Sequence, residues 1–172
     1  MLAPELVTEA EFSAVGALVV RAYEAAGVLG ADDGYRTVLA DTQGRAASAE
    51  VYVVHDGDRS PLATVTLCPH ATLYAQVAAP GELEFRMLAV DPKAGGRGLG
   101  SALVAFCAET GRARGADALV GCVIDSNVAA IRLYERLGFA HEHARDVQVG
   151  DDVRLLVVSL DLRAQPAHGD LG

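Results

Sequence analysis

Long apolar runs are missing from this chain of 172 residues. No stretch approaches the roughly 20 residues a membrane-spanning helix needs. The opening "MLAPELVTEA" has no basic segment followed by an apolar one, so neither membrane insertion nor secretion is expected and the cytoplasm is the default. Cysteine is scarce. Cys68, Cys107 and Cys122 are an odd, widely spaced set without a C-x-x-C pair, which argues against a disulfide framework or a zinc site and leaves three small buried hydrophobes. No metal is expected. Positive charge is also short: 14 Lys and Arg stand against 23 Asp and Glu, for a formal net charge of -9. Nucleic acid, which needs clustered cations, is excluded as a general partner. An amine or a cationic small molecule is tolerated better, although a solvated surface commonly shows the same acidic balance.

What is present suits one ordinary core. At 51% hydrophobic and 22% charged residues the chain is expected to form a single domain over residues 1–163, with residues 164–172 as a disordered tail. Thr8 and Glu11 stand in capping-box spacing, and Phe12, Val15, Val19, Ala22 and Tyr23 then recur at helical intervals. "ADDGYRTVLADTQGRAA" reads as a short second helix broken near Gly44. "EVYVVHDGDRSPLATVTLC" reads as a hairpin around Asp56-Gly57, "HATLYAQVAAPGE" as a long loop and "ELEFRMLAV" as a strand. A helix from Leu99 to near Gly115, the strand "DALVGCVI", a helix stopped at Gly138 and a final hairpin in "ARDVQVGDDVRLLVVSLDL" complete the order. That order predicts an α/β (α+β) fold, a mixed sheet with helices on both faces.

The informative stretch is "DPKAGGRGLGSALV", Asp91 to Val104, with four glycines in six residues between a strand and a helix. The first N–H groups of a helix lack partners and the helix dipole is positive there, so a glycine-rich approach lets an anion such as pyrophosphate sit against bare amides. A tight turn explains the glycines equally well when they are taken alone. A Walker loop fails, because Gly100 is followed by Ser101-Ala102 and the chain's only lysine, Lys93, lies upstream. A Rossmann fingerprint is a poor fit, with Ser101 or Leu103 at its third small position.

The third pattern matches. "MLAVDPKAGGRGLGSAL" resembles motif A of the GNAT superfamily, the acyl-CoA-dependent N-acetyltransferases, whose Arg/Gln-x-x-Gly-x-Gly/Ala runs between a strand and a helix. Gly98 and Gly100 fill its small positions, and Gly95 stands where the family usually has Arg or Gln. "NVAAIRLYERLGF", Asn127 to Phe139, resembles motif B. The resemblance covers Gly81 to Leu162 well and Met1 to Pro80 only in the order of elements. It implies a mostly antiparallel sheet splayed between its fourth and fifth strands. It also implies acetyl-CoA as co-substrate, held by Leu88, Ala89 and Val90 of the strand, by Gly95, Gly96, Arg97, Gly98, Leu99, Gly100 and Ser101 of the loop, and by Asn127. Arg97 stands to compensate in part for the missing side chain at 95. Tyr134 is implied as the acid facing the thioester sulfur. Residue types alone read differently: Tyr134 shares a helical stripe with Ala130, Leu133 and Leu137, as a core aromatic would, and Asn127 suits a helix N-cap.

Amine attack on a thioester requires a neutral amine, whereas a lysine-like amine has a pKa of roughly 10.4. A base must act, a donor must meet the charge on the carbonyl oxygen, and the leaving thiolate takes a proton. The resemblance implies a strand N–H as the oxyanion donor and Glu84 as the base, with Glu82 a second candidate. Two solvated carboxylates, with Arg86 pairing on the face of Glu84, are the competing reading. His55, His70, His141 and His143 are further candidate bases, and Asp125 stands where it would orient an amine. The acceptor side falls to the first helices, where Asp32, Asp33 and Tyr35 would receive a cation or simply cap a helix. A small amine, an antibiotic, an amino acid and a protein N-terminus all remain open as acceptor. A small molecule is the expectation, taken by a monomer or homodimer that engages neither nucleic acid nor membrane. A non-catalytic acyl-CoA-binding module is the alternative function, which the glycine at 95 would allow.

Overall fold

The structure, a computed structural model, describes residues 3–29 and 34–163. The acids Asp32 and Asp33 and the expected tail from residue 164 lie outside the described residues. A short strand β1 (Glu5–Leu6) leads into a 3-10 turn (Glu9–Glu11) and α1 (Phe12–Ala25). The capping box forms, with the Thr8 N–H and hydroxyl donating to Glu11 Oε2 at 2.9 and 2.8 Å. β1 was not expected, since two residues carry no period. It pairs antiparallel with β2 (Glu50–His55) through Glu5–Val53 and Leu6–Tyr52.

The expected single helix after α1 is two, α2 (Gly34–Ala40) and α3 (Thr42–Ser48), broken at Asp41 rather than at Gly44. Asp41 is the N-cap, its Oδ1 accepting from the Gly44 N–H at 2.8 Å. Gly44 makes room for that cap, because a Cβ there would stand 2.2 Å from Asp41 Oδ2.

β2 and β3 (Pro61–Pro69) form the expected hairpin, and β4 (Glu82–Val90) follows the long loop. α4 (Leu99–Ala113), β5 (Ala118–Ile124), α5 (Val128–Arg136), β6 (Ala140–His141), β7 (Val147–Val149) and β8 (Val153–Asp161) follow in order. One sheet runs β1-β2-β3-β4-β5-β8-β6 with β7 on β8, and β4–β5 is its parallel pairing. Helices cover both faces. Leu83 and Phe85 of β4 and Leu119 of β5 pack with Leu103 and Cys107 of α4 and Tyr134 of α5. The opposite face receives Leu18 and Val19 of α1 and Leu39 of α2, against Met87 and Ala89 of β4.

Phe85 and Met87 are two residues apart yet face opposite cores, so the alternation of side chains slips by one between them. The slip is a β-bulge. The β3–β4 register jumps between Thr64 and Thr66, and Met87 has a φ of 50°. The three cysteines are free. Burial pushes the thiols of Cys68 and Cys107 up to about 12 and that of Cys122 to about 11, the last two being packed among apolar side chains and near Glu84 respectively.

Candidate active site

Between β4 and α4 the chain makes a 3-10 turn (Pro92–Ala94), with Asp91 Oδ1 accepting from the Lys93 N–H at 2.9 Å. Gly96 and Gly98 then take φ of 75° and 74°, the left-handed region in which a side chain is strained. Gly98 is the N-cap of α4 and has no side chain to offer, so the first helical amides stay bare. The Ala102 N–H, on Gly98 O at 3.0 Å, is the first in α4 with a backbone acceptor. Among the described residues the amides of Gly96, Arg97, Gly98, Leu99, Gly100 and Ser101 have none. Gly95 has an ordinary φ of -57°, and its N–H is spent on Pro92 O at 3.3 Å, so it offers the loop neither a side chain nor a free amide. Arg97 is exposed and, with Lys93, Arg21, Asp56 and Asp91, lines a cleft of about 410 Å³ beside the loop. Arg21 is paired with Asp91 at 2.8 Å.

The strand that enters the loop is open on one side. β4 and β5 pair only through Glu82–Ala118, Leu83–Leu119 and Glu84–Val120, while β5 continues with β8 as far as Ile124–Leu155. From Phe85 onward β4 and β5 part, the splay expected between the fourth and fifth strands. The Asp91 N–H donates to Leu62 O on the other flank at 2.8 Å, and Ala89 lies opposite Thr64 of β3. Because strand amides alternate in direction, those of Leu88 and Val90 point into the gap and that of Ala89 points to β3. The backbone N–H of Ala89 is thus on the β3 side of the strand, opposite Thr64.

α5 lies on the same face as α4. Asn127 caps it, Oδ1 accepting from the Ala130 N–H at 3.2 Å, which leaves the side-chain NH2 to donate elsewhere. Tyr134 is 6% exposed and meets Phe85 edge to face at 5.4 Å between centroids, with Phe139 at 5.5 Å. Its hydroxyl makes no hydrogen bond among the described residues. Burial raises its pKa well above the usual phenol value, and the Cys107 and Cys122 thiols add to the rise. A neutral phenol in this position can donate a proton.

Glu84 is fully buried, not solvated. Its Oε2 accepts the N–H groups of Gln76, Val77 and Ala78 at 2.8, 2.9 and 3.1 Å and so anchors the loop between β3 and β4. Its Oε1 makes no hydrogen bond among the described residues and lies 3.8 Å from Arg86 Nε, the expected same-face neighbour. Sequence reading placed Glu84 in the site but missed this anchoring, whose partners are backbone amides that no pattern marks. Glu82 is bound by Arg145, Nη2 to Oε2 at 2.7 Å, and by the Ala79 N–H at 2.8 Å. Burial acts to raise its pKa, but these bonds outweigh it and hold the carboxyl low.

The remaining candidates have partners of their own, although His141 shares the lining of a small cavity with Tyr134. His55 Nε2 is 2.6 Å from Glu11 Oε1, and His70 Nδ1 is 2.7 Å from Ala78 O. His141 Nε2 is 2.8 Å from Asp146 Oδ1. Asp125 closes β5, its N–H on Arg154 O at 3.0 Å. Tyr35 of α2 faces Tyr23 of α1 at 6.4 Å between ring centroids.

A fold of this kind is widely shared. Over 98% of each chain the structure is similar to the ribosomal-protein-S18-alanine N-acetyltransferase from Escherichia coli, with a TM-score of 0.68 and 19% identity. Over 97% of each chain it is similar to a Salmonella typhimurium structure solved with its cofactor acetyl-CoA, with a TM-score of 0.67 and 20% identity. A mycothiol acetyltransferase from Salinispora arenicola is 52% identical over 58 residues, 33% of this chain and 19% of that protein, so the chain spans about a fifth of the length of the curated relatives it matches. No helix among the described residues is long and apolar enough to cross a membrane. The family model for the acetyltransferase (GNAT) family matches residues 18–139, which take in the bare-amide loop, the parted strands and Tyr134, and the chain belongs to that family.

Proposed function

We propose that the protein transfers an acetyl group from acetyl-CoA to a primary amine by direct attack in a ternary complex. The observation that carries this reading is the run of six amides, Gly96 to Ser101, without backbone acceptors at the N-terminus of a 15-residue helix, beside two parted strands. Those amides, with the positive end of the helix dipole, suit a pyrophosphate. The exposed Arg97 supplies charge that the glycine at 95 does not.

Leu88 and Val90 offer the gap the pairing a strand would otherwise take up, which suits the amide-bearing pantetheine arm. One of their N–H groups is the donor for the oxyanion of the tetrahedral intermediate. Asn127 donates to the coenzyme from its free NH2 while its oxygen caps α5. Tyr134 gives its proton to the departing thiolate. Glu84 takes the proton of the amine through Oε1, its buried oxygen without a hydrogen bond, while Oε2 keeps the loop in place.

Thermal unfolding with and without acetyl-CoA tests the loop without requiring the acceptor. At about 100 times its dissociation constant the coenzyme adds roughly 2.7 kcal/mol, a rise of roughly 5 °C or more for a chain of this size. No shift at millimolar coenzyme would overturn the assignment. Release of free thiol in the presence of a mixed amine panel then tests turnover. Binding without thiol release from any amine would favour a non-catalytic acyl-CoA-binding module.

A further inference from the structure

The turn beyond α5 gathers three side chains with donor atoms that have no role in the transfer proposed above, although His141 lines a small cavity with Tyr134. His141 is the second residue of β6, His143 opens the 3-10 turn His143–Arg145, and Asp146 follows it. The two imidazole rings are 3.7 Å apart between centroids, and His141 Nε2 is 2.8 Å from Asp146 Oδ1. One donor atom from each of the three lies within 4.8 Å of the other two. Ligand bonds of about 2.0–2.2 Å in a tetrahedral site bring donors to within about 3.5 Å of each other, so a small rotation of the exposed His143 closes the set.

The frame that carries these donors is fixed. Asp146 is 6% exposed, and its Oδ1 accepts the Val157 N–H of β8 at 3.0 Å. The Glu142 N–H donates to Val157 O at 2.8 Å, and the Arg145 N–H to Glu142 O at 2.8 Å. Two imidazoles and one carboxylate, with a place left for water, are the donors that zinc and its first-row neighbours take. We propose that His141, His143 and Asp146 bind a divalent cation of the zinc class, the metal replacing the proton that His141 Nε2 now shares with Asp146. Arg154 Nη2 lies 2.7 Å from Asp146 Oδ2 and is the competing cation, and its side chain is 51% exposed, free to swing out. The site is separate from the coenzyme loop, and its occupancy does not depend on the transferase reading.

The test is calorimetric titration of the full chain, stripped with chelator, with Zn2+, repeated with Co2+ to read tetrahedral ligand-field bands. The expected result is one saturable site in the micromolar range or tighter, with a rise in Tm on Zn2+ addition. His143→Ala is expected to weaken binding by roughly tenfold or more, since a lost ligand costs at least what a lost outer-shell partner does. The His143 side chain is exposed and makes no hydrogen bond among the described residues, so the metal-free Tm of the variant should match the parent. Arg154→Ala, which removes the competitor, is expected to tighten binding severalfold. No saturable binding up to millimolar Zn2+, binding that survives His143→Ala, or binding that Arg154→Ala leaves unchanged would each overturn the assignment.

Discussion

Glu84 of β4 and Val120 of β5 are the last residues paired across the two parallel strands, and one step beyond them the strands part. Glu84 thus stands at the mouth of the gap with one oxygen bound by three amides and the other without a hydrogen bond. An anchor and a base make different demands on it. Glu84→Gln keeps an acceptor oxygen and is expected to lose about 1–3 kcal/mol of stability, with Glu84→Ala losing more because three donors are left unpaired. If Oε1 is the base, Glu84→Gln also lowers kcat by about 10²-fold, beyond what its loss of stability accounts for. A kcat kept in the folded variant would leave Glu84 as anchor alone.

Tyr134 gives the converse case. Its ring is buried and its hydroxyl makes no hydrogen bond among the described residues, so Tyr134→Phe should leave thermal stability nearly unchanged. Turnover is expected to fall by about 10²-fold, the usual contribution of a positioned acid. Parallel measurement of Tm and kcat checks both halves, and an unchanged kcat would remove Tyr134 from the chemistry.

At Gly98 a Cβ would meet no atom within 4 Å, so the cost of Gly98→Ala is conformational rather than steric, at a φ of 74°. A loss of about 1 kcal/mol is expected in the free protein. Shifted amides should weaken acetyl-CoA at least tenfold, read as a smaller thermal shift. Arg97→Ala, which leaves the backbone in place, should weaken the coenzyme without that loss of stability.

Acid should loosen the joint between the turn before α1 and β2. Burial acts to raise the Glu11 carboxyl, but bonds from the Thr8 N–H and hydroxyl and from His55 outweigh it and hold the carboxyl at about 2, below its ordinary 4.5. A depressed acid stabilises the fold in full above its ordinary value, and that contribution fades as pH falls from about 4.5 toward 2. The amount lost is roughly 2–3 kcal/mol. Urea unfolding across this range should show a steeper acid limb for the parent than for Glu11→Gln, which has already lost the contribution at every pH.

Much of this was legible beforehand because it rests on residue spacing. The glycines at 96, 98 and 100, the helical stripe through Tyr134 and the apolar run of β4 follow from period and composition, and the structure puts them on one side of one opening. Asn127 satisfied its plain reading, as a cap, while keeping a donor free. The misses share another cause. The bulge at Met87 uses left-handed backbone without a glycine to signal it. The true break at Asp41 was hidden by Gly44, whose lack of a side chain serves the cap. Asp146 joins His141 and His143 only because β8 presents its Val157 N–H, a long-range contact that no local spacing reveals.

Sheets ordinarily expose raw hydrogen-bonding edges only at their rims, where such edges invite other chains to add on. The parting of β4 from β5 creates a further edge in the middle of this sheet, at Leu88 and Val90. A Cβ on residue 100 would lie within 4.0 Å of Leu133 of α5 and of Val90 and Leu88 of β4, so apolar side chains of helix and strand already crowd the opening from one face. A slender arm filling the gap would do more than deliver an acyl group: it would quench the edge. The empty protein should accordingly be the more prone to self-association, and coenzyme should act as its solubilising agent.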